Sequence, residues 1–236
     1  MPSEHHISVS RSARYFMLGQ PGPGITDIWF CCHGYAQLAS DFAREFECIA
    51  APGRLIVVPE ALSRFYVPSG TGFHGPDTKV GATWMTRDDR EHEIVDYVNY
   101  LDRLYDEVIG ALDRTKLRVN VLGFSQGGAT VNRWLTRGKA KADRLIMWGS
   151  LLASDADLNE AAEFFRNTEL TIVYGTRDQF GDTEMIAGYE NLLKEKGIAY
   201  SLLTFNGGHR MDRETLKHLA SVIAPGSYDD IRLPDS

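Results

Sequence analysis

The run Leu117-Arg-Val-Asn-Val-Leu-Gly-Phe-Ser125-Gln-Gly-Gly128 constrains the fold more tightly than any other part of the chain. A short apolar strand passes through Gly-x-Ser-x-Gly into a segment with helical spacing, the pattern of a nucleophile elbow. A serine on so sharp a strand-to-helix turn takes a strained backbone, and glycines at 123 and 127 remove side chains that would collide with the turn. The pentapeptide alone is common by chance, so its context carries the reading. Val119, Val121, Leu122 and Phe124 form a buried-strand run before the serine, while Ala129, Val131, Trp134 and Leu135 recur at helical spacing after it. Ser125 is therefore expected to stand exposed above a sheet.

The same alternation runs along the chain. Ile28–Cys32 and Leu55–Val58 are continuous apolar runs with a helical-looking segment, Ser40–Ile49, between them, as parallel strands joined by a crossover would be. Arg87–Asp113 is the clearest helix, with Ile94, Val98, Leu101, Tyr105, Val108 and Leu112 on one stripe. Further strands are predicted at Leu117–Phe124, Arg144–Gly149, Leu170–Gly175 and Tyr200–Phe205, with helices near 126–137, 157–166, 182–196 and 211–223. The pattern predicts one α/β domain over residues 1–236, a mostly parallel, doubly wound sheet with helices on both faces. Ahead of it, Ile7–Val9 and Arg14–Leu18 alternate like an exposed antiparallel pair. Ala61–Thr86 breaks the periodicity and is rich in Gly, Pro, Ser and aromatics, so it reads as an irregular but ordered insertion over the active-site face.

At 236 residues and 43% hydrophobic, the chain is long enough to bury one large core. A net charge of −7 leaves no basic stripe to replace counterions along a phosphate backbone, which argues against a nucleic-acid partner. No run approaches the roughly 18 apolar residues of a membrane span, and the polar start Met1-Pro-Ser-Glu-His-His6 lacks a signal-peptide core. No stable membrane insertion and a cytoplasmic location are expected. The three cysteines are an odd number, and Cys31 and Cys32, on opposite sides of a buried strand, read as core thiols. No histidines stand at a ligand spacing such as His-Glu-x-x-His, so no metal is expected.

A serine hydroxyl needs a base to take its proton and a carboxylate to orient that base. The strand Leu170–Tyr174 runs into Gly175-Thr-Arg-Asp178, which places Asp178 just beyond a strand's carboxyl end, where ligand-facing groups of parallel sheets collect. Asp182 is the main rival, with a competing role as a helix cap; Asp155 and Asp157 follow another strand. Asn206-Gly-Gly-His209 then delivers His209 as general base, in the order Ser, Asp, His of a doubly wound hydrolase sheet. His5, His6, His92 and His218 read as surface histidines. The oxyanion is assigned to two backbone N–H groups, that of Gln126 at a helix N-terminus and that of Tyr35 in Cys32-His33-Gly34-Tyr35, with His33 a structural hydrogen-bonder beneath that loop. Tyr35, Phe65, Trp84 and Met85 are the expected lining of an apolar substrate pocket of modest size.

With His33-Gly34, Gly123-Phe-Ser-Gln-Gly-Gly128, Gly175-Thr-Arg-Asp178 and Gly207-Gly-His209 in one order, the chain resembles the α/β-hydrolase superfamily. Within it the chain is similar to the phospholipase/carboxylesterase group, which includes the acyl-protein thioesterases, over roughly Asp27–Ile223. The resemblance implies hydrolysis of a small-molecule ester or thioester through an acyl-enzyme, without a cofactor. Two stretches depart from the group's pattern. Tyr35-Ala36-Gln37 stands where a small apolar residue, Gly and Asp usually follow His-Gly, and Phe65-Tyr66 with Thr83-Trp84-Met85 replaces the usual Trp-acid pattern. The acyl preference therefore does not transfer, and a carboxylesterase of short to medium chains stands beside an acyl thioesterase, a lysophospholipase, a serine peptidase and a non-catalytic binding protein. An exposed apolar edge or helix leaves a homodimer open.

Overall fold

Successive side chains of a strand point to opposite faces, so a run that is apolar at every position must be covered on both. The computed structural model describes all residues except 69–74, 154, 156–161, 182 and 223–236. Its strands are β1 (Tyr15–Leu18), β2 (Asp27–Cys32), β3 (Arg54–Pro59), β4 (Ser63–Tyr66), β5 (Val80–Thr83), β6 (Arg118–Phe124), β7 (Arg144–Trp148), β8 (Glu169–Gly175) and β9 (Ser201–Phe205). Seven form one sheet in the order β1-β3-β2-β6-β7-β8-β9. Every pairing in it is parallel except the edge pair β1–β3.

Alternation then builds two cores. Ile28, Phe30 and Cys32, with Val119, Val121, Leu145 and Met147, face α2 (Arg90–Ile109), α3 (Gln126–Arg137) and α4 (Thr183–Glu195). Trp29, Cys31, Leu122, Phe124, Ile146 and Trp148 face α1 (Ala39–Glu45) and α5 (Arg213–Ser221). The expected α/β-hydrolase architecture, with helices on both faces, is the one observed. No described helix is long and apolar enough to cross a membrane.

Two local expectations are corrected. Ile7–Val9 forms no strand, and residues 1–14 are exposed; β1 pairs instead with β3, Tyr15 opposite Pro59 and Leu18 opposite Ile56. A free two-stranded ribbon has no face to bury, whereas the edge of β3 offers a long apolar ladder. The stretch expected to be irregular holds the antiparallel hairpin β4–β5, with Ser63 opposite Thr83 and Tyr66 opposite Val80. Its four-residue strands are too short to stand out from their Gly- and Pro-rich surroundings. The helix expected at 157–166 lies largely outside the described residues, and so do Asp157 and Asp182.

Candidate active site

At the carboxyl end of β6 the chain turns directly into α3, and Ser125 at the junction has φ +53° and ψ −119°. It is one of only three non-glycine residues with positive φ among those described. The turn is tight enough that a Cβ on Gly123 would meet the Gly127 carbonyl, and one on Gly127 would meet the Cys32 carbonyl. The Ser125 N–H donates to the Trp148 carbonyl (2.9 Å), which ties the elbow to the end of β7. Ser125 is half-buried, and its Oγ has no hydrogen-bond partner among the described residues.

Asp178 and His209 come from the ends of β8 and β9, two adjacent strands whose exit loops are bonded together. Thr176 N–H donates to the Phe205 carbonyl (2.9 Å) and Arg177 N–H to the Gly207 carbonyl (2.8 Å). A side chain on Gly175 would collide with the carbonyls of Gly207 and Gly208, so this close approach depends on glycine. His209 Nδ1–H donates to Asp178 Oδ2 at 2.8 Å, and the Phe180 N–H donates to the other carboxylate oxygen (2.9 Å). The Asp178 side chain is almost fully buried, whereas the imidazole remains partly open to solvent. Phe124, the residue before Ser125, stacks at a tilt on His209 (4.9 Å), and the exposed Phe180 packs edge-on against it (4.7 Å).

The loop after β2 faces this pair across the elbow. Its Gly34 comes so close that a Cβ there would lie 3.2 Å from Ser125 Cβ. The Tyr35-Ala36-Gln37 stretch is held by three bonds: Gly34 N–H donates to Gln37 Oε1 (2.7 Å), Ala36 N–H to the Ala82 carbonyl (2.9 Å) and Ala82 N–H to the Gln37 carbonyl (3.1 Å). Ala36 takes φ +60°, a conformation that favours glycine. The N–H groups of Tyr35 and Gln126 are left without an acceptor among the described residues, the latter at the start of α3 where amides lack intrahelical partners.

His33 is fully buried beneath this loop. The Ala61 N–H donates to its Nε2 (3.1 Å), so the ring proton sits on Nδ1 and donates to the Gly34 carbonyl (2.8 Å). Burial pushes its pKa below the ordinary imidazole value, in keeping with a neutral ring that supports the loop.

The four residues expected to line a pocket separate. Tyr35 is exposed and stacks on the half-buried Phe65 (5.2 Å), forming a rim. Trp84 is only 2% exposed: its Nε1–H donates to the His33 carbonyl (2.8 Å), and the ring packs against His33 and Tyr97. It supports the loop from below, where its N–H finds the His33 carbonyl. Met85 is half-buried, with its carbonyl accepting from Gln126 Nε2 (2.9 Å). The Gln126 side chain also accepts from the Trp84 N–H (3.1 Å), so it staples the end of β5 to the start of α3.

The sequence reading missed three of these features. The Gln126 motif points to the backbone N–H and not to the side chain, Phe180 lies in no motif, and Gly149 reads in the sequence as the end of a strand. Gly149 has φ +55° and lies directly against His209. Asp155 is tied up by Arg133, Arg137 and Arg90, whose hydrogen bonds and charges hold its carboxyl well below the usual range.

A family model described as phospholipase/carboxylesterase matches residues 30–225. No curated protein matches by sequence. Among solved structures, acyl-protein thioesterase 2 from Zea mays superposes with a TM-score of 0.64 at 16% identity, covering 89% of this chain and 96% of that one. A carboxylesterase from Mesorhizobium loti gives 0.64 at 16% identity, over 88% and 92% of the two chains. A phospholipase/carboxylesterase from Dyadobacter fermentans gives 0.60 at 15%, over 89% and 95%.

Proposed function

Since the chain belongs to the phospholipase/carboxylesterase family of ester hydrolases, we propose that it is a serine carboxylesterase working through an acyl-enzyme, with Ser125 as nucleophile, His209 as general base and Asp178 as its orienting carboxylate. The observation that carries this reading is the 2.8 Å bond from His209 Nδ1 to the buried Asp178, beside a serine held at φ +53°. With Nδ1–H committed to Asp178, Nε2 carries the lone pair that takes the Ser125 proton.

Ser125 Oγ attacks the ester carbonyl carbon as its proton passes to His209 Nε2. Negative charge on the carbonyl oxygen is met by the N–H groups of Tyr35 and Gln126, each such donor being worth about 2.7–4 kcal/mol of barrier. The intermediate collapses, the C–O bond to the alcohol breaks, and His209 returns the proton to the leaving oxygen. Water then adds to the acyl-enzyme with His209 again as base, releasing the acid and restoring Ser125. We assign the acyl or alcohol group to the apolar rim of Tyr35, Phe65 and Phe180, with Met85 beside it, and short to medium acyl chains as the preferred substrates. The substrate is a free small molecule, and the enzyme works in the cytoplasm without a cofactor.

The test is mass spectrometry of the intact chain and its Ser125→Ala variant after a fluorophosphonate probe, beside turnover of p-nitrophenyl esters from acetate to laurate. A single adduct lost in the variant, with turnover falling beyond medium chains, is the expected result. Matched thioester and anilide substrates separate the thioesterase and peptidase alternatives. Full turnover by Ser125→Ala sinks the reading.

A further inference from the structure

Histidines 5 and 6 lie in an exposed N-terminal arm, yet the structure treats them differently. His5 Nε2 bonds to Ser3 Oγ (2.8 Å) within the arm. His6 crosses to the start of α2, 83 residues on, where its Nε2 lies 3.1 Å from Asp89 Oδ2. His92 Nδ1 lies 2.7 Å from the other oxygen, Asp89 Oδ1. The two rings stack with centroids 3.8 Å apart and planes 20° from parallel. One nitrogen from each imidazole and one oxygen from Asp89 all lie within 4.8 Å of one another. Glu4 Oε1 stands 3.4 Å from His6 Nε2, a further oxygen at hand.

We propose that His6, Asp89 and His92 form a binding site for a divalent metal ion of the zinc class, which fastens the N-terminal arm to α2. Bonds of about 2.0–2.2 Å in a tetrahedral site set ligand atoms roughly 3.3 Å apart, so separations of up to 4.8 Å close by at most about 1.5 Å to enclose an ion. The exposed rings tilt toward each other to do so. Two imidazoles with one carboxylate suit zinc, cobalt or nickel, whereas calcium and magnesium take oxygen ligands. Asp89 is the residue before α2 and His92 lies in its first turn, and the 2.7 Å contact between them already brings two ligand atoms together. Asp89 is also one of the three non-glycine residues with positive φ among those described, beside Ser125 and Ala36.

The ion touches none of Ser125, Asp178 and His209, and its consequence is mechanical. Asp89 ends the segment that leaves β5 through Trp84 and Met85, and Thr86 there donates to Glu93 of α2. Fastening His6 to this point holds the arm along α2 and stiffens that segment.

Calorimetric titration of the full chain, free of any histidine tag, with zinc chloride tests the site. About one equivalent is expected, with affinity falling at least about tenfold in His6→Ala and in His92→Ala and staying within about twofold in the His5→Ala control. Zinc is also expected to slow tryptic cleavage at Arg11 in the parent chain and in His5→Ala, but not in His6→Ala. Retained binding in both His6→Ala and His92→Ala overturns the proposal, and so does a loss in His5→Ala equal to that in His6→Ala or the lack of any stoichiometric binding. All three side chains are exposed, so unchanged melting temperatures without zinc separate a lost ligand from a lost fold.

Discussion

Gly149 lies so close to His209 that a methyl group on it would stand 3.0 Å from Cε1 and 3.1 Å from Nδ1 of the imidazole. The backbone there has φ +55°, so a side chain is strained as well as crowded. Gly149→Ala is expected to push the ring away from Asp178 and to lower kcat on a p-nitrophenyl ester by about 100-fold, with a melting temperature lowered only slightly. Unchanged kcat would show that the ring has room to yield.

Asp178→Asn keeps the size of the orienting group but presents an amide to His209 Nδ1. The ring is then free to adopt the tautomer that cannot accept the Ser125 proton, and kcat is expected to fall about 10⁴-fold. Stopped-flow measurement of the acylation burst checks that the loss lies in the attack step.

Gln126→Glu leaves the backbone N–H in place but turns a donor to the Met85 carbonyl into an acceptor facing it. The staple between β5 and α3 opens, at a cost of about 1–3 kcal/mol. Urea denaturation reads the loss; an unmoved midpoint would mean that Met85 and Trp84 are held by other bonds.

Two buried groups respond to acid in different pH ranges. His33 has a pKa lowered by burial, so its contribution to stability is complete above its ordinary value of 6.5 and is lost as pH falls toward the folded value. Burial alone would raise Glu60, but hydrogen bonds from Arg14 (2.7 Å) and Arg64 outweigh it and hold the carboxyl below 4.5, so its contribution is lost only at lower pH. Stability is therefore expected to decline in two steps below pH 6.5, with the upper step absent from His33→Gln and the lower one reduced in Glu60→Gln, the rest of it belonging to Asp155. A single decline shared by all three chains contradicts the assignment.

Much of this site could be read from the chain because its parts lie where periodicity stops. Ser125, Asp178 and His209 each follow a run of strand residues and are flanked by glycines, and the sheet brings those strand ends together. The positions of Trp84 and Gln126 could not be read in that way. An aromatic residue in an irregular stretch carries no sign of which side it buries, and Trp84 faces inward only because the His33 carbonyl lies there to accept its N–H. Hairpin β4–β5 was equally hidden, since part of what anchors it is the bonding of Ala82 to Ala36 and Gln37, more than forty residues earlier. Ile7–Val9 failed for the opposite reason: its alternation was real, but the segment stays exposed and buries no apolar face that pairing would hold.

Cys31 and Cys32 are adjacent, fully buried, and face opposite cores, and burial raises the pKa of both thiols. Neither reacts until the layer above it lifts. Alkylation at Cys31 thus times the opening of the α1 and α5 side, and alkylation at Cys32 that of the α2, α3 and α4 side. Two neighbouring sulfurs serve as independent clocks for whether the halves of this enzyme come apart together or in turn.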